Sequence, residues 1–136
     1  MKRFFINQWP AILWALFVIL ITGLPGNYFP EVKSFWDWMS PDKVVHLFFF
    51  GVFSFLVMHG SRAQYFKGNH RYVIVITLLT GIAYGGLTEL LQYYVFIGRH
   101  GNYFDFYANV AGTISGVALF MLLNRKNKKR VNGFYD

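Results

Sequence analysis

Asp42, Lys43 and His46 stand at i, i+1 and i+4, a spacing that gathers a carboxylate, an ammonium and an imidazole on one side of a helix. Glu89 and Gln92 stand at i and i+3 with Tyr93 beside them, Arg99 follows, and Asp105 and Asn109 stand at i and i+4. Three kinds of chemistry are open to this set. Lys43 and Arg99 can hold a phosphate or carboxylate through charge-assisted hydrogen bonds, while Gln92 and Asn109 orient hydroxyls or amides. Alternatively, a desolvated Glu89 can act as general base and His46 as a second acid/base group, with the two cations stabilising developing negative charge. Asp42, His46, Glu89 and Asp105 also offer mixed oxygen and imidazole ligands of a kind divalent ions accept. No short-spaced metal motif is present, however, and neither a metal nor another cofactor is expected. The chain has no cysteine, which excludes thiol catalysis, thiolate metal sites and disulfides. With no serine at a motif position either, headgroup binding is preferred to enzyme chemistry. Blander roles exist: Asp42 as a helix cap, Lys43 as a snorkelling cation, His46 as a packing residue, Gln92 and Asn109 as interhelical hydrogen bonders.

The elements that must position these groups follow from composition. Of 136 residues, 55% are hydrophobic and only 14% charged, where a water-soluble domain needs about a quarter charged. The apolar residues fall in four blocks, giving spans at about 5–24, 42–59, 72–97 and 106–123, each near the ~20 residues that cross a ~30 Å hydrocarbon core. The expected fold is all-α: a compact bundle of four transmembrane helices in one domain. Pro41 suits the first helical position, with Ser40 before it as N-cap, and Gly98 signals the end of the third span. Gly81 and Gly85, and then Ala108, Gly112 and Gly116, form small-residue stripes that let helix backbones approach. Trp9, Trp14, Trp36 and Trp38 supply candidates for the interfacial aromatic belt. A carboxylate placed like Glu89, ~12 Å below a helix end at Ile97, costs at least ~2.5 kcal/mol to bury ionised, so it must be paired, protonated or wet. No polar series is expected to continue through the inner half of the spans, which argues against an ion carrier.

The net charge of +7 is placed unevenly. Ten of the thirteen Lys and Arg lie before the first span (Lys2, Arg3), between the second and third (Arg62, Lys67, Arg71), or after the fourth (Arg125, Lys126, Lys128, Lys129, Arg130). By the positive-inside rule both termini are cytoplasmic, the first span is uncleaved, and every polar group named above sits in the outer half of the membrane. The basic tail then meets anionic lipids, and no nucleic-acid partner is needed to explain it. His59, His70 and His100 lack helical partners and are expected to face solvent.

The order Asp42-Lys43-x-x-His46, Thr88-Glu89-x-x-Gln92, Arg99 and Asp105-x-x-x-Asn109-x-x-Gly112, within a small four-span protein, resembles the VanZ-like family. The resemblance runs from about Trp9 to Leu123. It implies a multi-pass protein of the bacterial cytoplasmic membrane and, from the family's founding member, a link to resistance against teicoplanin, a lipid-bearing glycopeptide acting at the outer face. It names no reaction. The partner expected is an envelope lipid or lipid-linked precursor. From Arg99 to Asp105 the loop lacks the second acidic residue that the family pattern leads one to expect, which disfavours schemes needing a pair of loop carboxylates.

Overall fold

The structure is a computed structural model that describes residues 2–24, 41–96 and 103–125. Ser40, Trp36, Trp38, Gly98, Arg99, His100 and the basic tail from Lys126 lie outside the described residues. All regular structure among the described residues is helical: α1 Lys2–Thr22, α2 Pro41–Gly60, α3 Arg62–Lys67, α4 His70–Tyr94 and α5 Tyr103–Leu123. Four of these are long and apolar enough to span a membrane, with only 22% to 39% of each span's residues buried in the protein. The remaining Leu, Ile, Val and Phe face outward, an arrangement that water would penalise and hydrocarbon accepts.

Helix ends follow local chemistry. Pro41 occupies the first position of α2, where its missing N–H costs nothing. The Asn69 side chain accepts from Tyr72 N at 3.1 Å and caps α4. α4 ends at Tyr94, three residues before Ile97, where the backbone N–H groups of Val95 and Phe96 both turn back to Leu91 O. Pro10 sits inside α1, an interruption that neighbouring helices tolerate in a membrane. The inner connection, expected as a loop from His59 to Arg71, instead carries α3. Its Tyr65 is buried edge-on against Phe120 at 5.4 Å between centroids, so one apolar side chain is enough to fold this turn onto the bundle.

α2 and α5 make the closest pair. A Cβ at Gly112 would overlap the Leu47 carbonyl, and one at Gly116 would overlap the Gly51 carbonyl, so the two backbones touch where only glycine fits. α4 packs beside them with Gly81 against Thr113 and Ser54, and Gly85 against Asn109 and Phe50. α1 is tied on by hydrogen bonds, Trp14 Nε1 donating to Phe49 O at 2.9 Å and Tyr84 OH to Ala15 O at 2.6 Å, and by a close approach at Gly60, where a Cβ would stand 2.6 Å from the Asn7 carbonyl. Trp14, considered for the aromatic belt, thus spends its N–H on α2, while Trp9 is exposed. Near the start of α1, Gln8 Nε2 donates to Ser61 Oγ at 2.7 Å and Val57 O at 3.2 Å. These contacts put the start of α1, the ends of α2 and α5, and α3 at one end of the bundle. The ends of α1 and α4 and the starts of α2 and α5 meet at the other.

Candidate functional site

At that second end three helices, α2, α4 and α5, contribute polar side chains. His46 is 2% exposed, Asn109 0% and Asp105 5%. His46 Nδ1 lies 2.9 Å from Asn109 Oδ1, and Asn109 Nδ2 donates to Glu89 Oε1 at 3.0 Å. His46 Nδ1 is also 3.6 Å from the same Glu89 oxygen. One amide therefore bridges the imidazole of α2 to the carboxylate of α4. Because its nitrogen is committed to Glu89, its oxygen faces His46 and must accept, which fixes the proton on Nδ1. Gly85 makes this bridge possible: a Cβ there would stand 3.0 Å from the Asn109 Cβ.

On the far side of the ring, His46 Nε2 lies 3.9 Å from Asp42 Oδ1, whose side chain is 52% exposed at the surface end of α2. Asp105, in the first turn of α5, brings a carboxylate oxygen into the same group. Asp105 Oδ1 is buried with no hydrogen-bond partner among the described residues. Both carboxylates sit in the first turns of their helices, α2 and α5. Lys43 Nζ sits 5.7 Å from the centroid of the Phe104 ring, a cation–π distance at the rim of the cluster.

The structure thus brings together Asp42, His46, Glu89, Asp105 and Asn109, with Lys43 at the edge. Gln92, grouped with them from its spacing to Glu89, turns elsewhere: it is buried, and its amide nitrogen donates to Thr22 O at 3.4 Å, closing the end of α1. Tyr93 is exposed and packs on Tyr94 at 4.6 Å. Glu89 lies five residues before the end of α4, ~7.5 Å along the axis, shallower than the sequence spacing suggested because the helix stops at Tyr94. Of the other histidines, His59 is exposed and stacks on Phe55, whereas His70 is half-buried against Tyr65 rather than free in solvent.

Below the cluster, where no polar series is expected from the sequence, buried hydroxyls continue it. Ser54, Thr113 and Thr77 are at most 1% exposed; Ser54 Oγ and Thr113 Oγ1 have no hydrogen-bond partner among the described residues, and Thr77 Oγ1 bonds Val73 O and Met58 Sδ. These residues were not singled out from sequence. For Thr77 a signal was present on its own helix: the buried positions of α4 are Val73, Thr77, Gly81, Gly85, Thr88 and Gln92, a mostly small and polar stripe at helical spacing. A cleft of about 540 Å³ lies away from the cluster between α1, α2 and α4, lined by Gln8, Ile12, Phe53, Val73 and Thr77 among others.

Fold and site together define a small four-span membrane protein with a buried polar cluster at one end. The VanZ/LLP1 family model matches residues 11–124. The chain belongs to this VanZ-like family. No curated protein and no solved structure shows significant similarity to it.

Proposed function

We propose that the polar cluster is an outward-facing site for the headgroup of an envelope lipid, or of a lipid-bearing glycopeptide, in the bacterial cytoplasmic membrane, and that through it the protein contributes to glycopeptide resistance. The observation that carries this reading is the set of buried, mutually bonded polar groups, His46, Asn109 and Glu89, with buried Asp105 beside them, opening to the surface through Asp42. A membrane protein that kept such a set for packing alone would do better with apolar residues. Orientation comes from charge: Arg62, Lys67, Arg71 and Arg125 belong to the opposite end of the bundle, so the positive-inside rule puts both termini in the cytoplasm and the cluster outside. Lys43 and Arg99 face the anionic part of the headgroup. Asp42 and Asp105 take its hydroxyl or amine groups, and the acyl or isoprenoid tail runs along the apolar helix surface.

A second reading is favoured by one feature, the Asn109 bridge that fixes the His46 proton on Nδ1 and turns Nε2 toward Asp42. It is an intramembrane hydrolase or transferase acting on an envelope lipid or lipid-linked precursor, with His46 and Glu89 as acid/base groups. Mass spectrometry of envelope lipids from cells expressing wild type and Glu89→Gln at matched levels separates the two. Headgroup binding gives unchanged lipid chemistry and one lipid co-purifying with the wild type but lost on Lys43→Ala and Arg99→Ala. A species that appears or vanishes only with the wild type makes the protein an enzyme. If no lipid co-purifies and no species changes, both readings fall.

A further inference from the structure

We propose that Asp42, His46 and Asp105 form a binding site for one divalent cation of borderline character, of which Zn²⁺ is the reference. Three observations point to it. One donor atom from each residue lies within 4.8 Å of those of the other two. An ion with bonds of ~2.1 Å holds its ligands roughly 3.0 to 4.2 Å apart, so closing the site requires side-chain shifts of ~0.5–1 Å and no backbone change. All three sit in the first two turns of α2 and α5, which the glycine crossing at Gly112 and Gly116 fixes against each other.

The second observation is Asp105 itself. It is 95% buried, in the range where an ionised oxygen must be satisfied, yet Oδ1 has no hydrogen-bond donor among the described residues. Its other neighbours in the group are a carboxylate and an imidazole nitrogen. The third is the orientation of His46. With Nδ1 turned to Asn109 Oδ1 at 2.9 Å, the ring presents Nε2 on its other side, 3.9 Å from Asp42 Oδ1 and within reach of the ion that the two carboxylates would share. Asn109, backed by Glu89, does for His46 what outer-shell partners do for ligating histidines: it holds the ring and fixes the tautomer. The two helix N-termini, with partial charges of about half a unit each, and Lys43 at the rim oppose a cation, but the three carboxyl groups of Asp42, Asp105 and Glu89 are set against them.

The donor set selects the ion. One imidazole with two carboxylates suits Zn²⁺ or Mn²⁺, whereas Mg²⁺ asks for an all-oxygen octahedron and gives up its waters reluctantly. Three protein ligands leave a position open on the exposed Asp42 side. An anionic oxygen from a phosphate or carboxylate can enter there, which explains how an acidic cluster accepts an anionic headgroup. That last clause rests on the headgroup reading; the metal site does not.

The test uses the full chain, untagged, purified in detergent, stripped with chelator and titrated with ZnCl₂ by calorimetry, with metal counted by mass spectrometry after desalting. The wild type should hold one Zn²⁺ per chain. Asp105→Asn and His46→Gln should each weaken binding at least tenfold, and Asn109→Leu about 10–100-fold through the ring orientation. His59→Ala, at the other end of the bundle, should leave affinity unchanged. Thermal unfolding of each stripped variant identifies any that fail to fold; for a misfolded His46→Gln, Asp42→Asn replaces it. The proposal is overturned if folded Asp105→Asn and His46→Gln or Asp42→Asn bind Zn²⁺ as the wild type does, if His59→Ala abolishes binding, or if the wild type binds none. Zn²⁺ binding with no co-purifying lipid leaves the metal site standing and removes the headgroup reading; a bound lipid without Zn²⁺ does the reverse.

Discussion

Alanine in place of glycine should have very unequal consequences on the two sides of one helix crossing. A Cβ on Gly51 of α2 would meet the Gly112 carbonyl oxygen at 3.5 Å, an ordinary van der Waals contact. A Cβ on Gly116 of α5 would run into the Gly51 carbonyl, with its carbon at 2.9 Å and Phe55 N at 3.1 Å. Both obstacles are backbone and cannot rotate away, so α2 and α5 must separate by ~0.5–1 Å. Overpacking of that kind costs ~1–3 kcal/mol, to which the loss of close Cα–H···O contacts adds up to ~0.5–1 kcal/mol each. Gly116→Ala should therefore destabilise by ~2–4 kcal/mol, and Gly51→Ala by under ~0.5 kcal/mol, since in a helix alanine's propensity works in its favour. Gly112→Ala, opposed by the Leu47 carbonyl, should behave like Gly116→Ala. The double variant should cost less than the sum, because one separation accommodates both methyl groups. Equilibrium unfolding in mixed micelles measures all four. Equal losses for Gly51→Ala and Gly116→Ala, or full additivity of Gly112→Ala with Gly116→Ala, would refute the backbone contact.

Other consequences can be checked in the same preparations. Tyr84→Phe removes the 2.6 Å bond to Ala15 O and should cost ~0.6–1.7 kcal/mol, with increased protease sensitivity of α1; no loss would mean that this bond contributes nothing to holding α1. Gly85→Ala presses on Asn109 at 3.0 Å and should lower Zn²⁺ affinity more than it lowers stability, read by calorimetry beside thermal unfolding. Because the chain has no cysteine, single cysteines at Tyr93 and Lys67 report topology directly: an impermeant maleimide added to intact cells should label the first and spare the second, and the reverse pattern would invert the orientation proposed above.

The spans were legible because a membrane imposes length and hydropathy at once: four blocks, four helices, with ends displaced by only a few residues. The pairing of α2 with α5 was half legible. The stripe of Ala108, Gly112 and Gly116 announces close approach without naming its partner, which is Gly51, a lone glycine outside any stripe. Asp42, His46, Glu89, Asp105 and Asn109 were legible as polar residues the bilayer should have excluded. Gln92 misled because i, i+3 spacing gives a shared face but not a direction, and the Thr22 carbonyl left over at the end of α1 draws its amide away. Ser54, Thr77 and Thr113 escaped notice because hydroxyls are cheap enough in a helix interior to carry no warning.

The position of the site follows from the packing. Where α2 and α5 touch through glycine, no side chain fits between them, so groups one or two turns nearer the helix starts are held at fixed separation. His46 and Asn109 occupy that place, and their 2.9 Å contact inherits the rigidity of the crossing. Asp42 and Asp105 lie further toward the N-termini, where helix ends are positive and carboxylates are favoured. A separation of ~0.5–1 Å at the glycines would stretch the His46–Asn109 contact to ~3.4–3.9 Å, beyond a useful hydrogen bond. The packing variant Gly116→Ala should therefore lose the site's ligand as well as stability, whereas Tyr84→Phe, which loosens only α1, should lose stability and keep it.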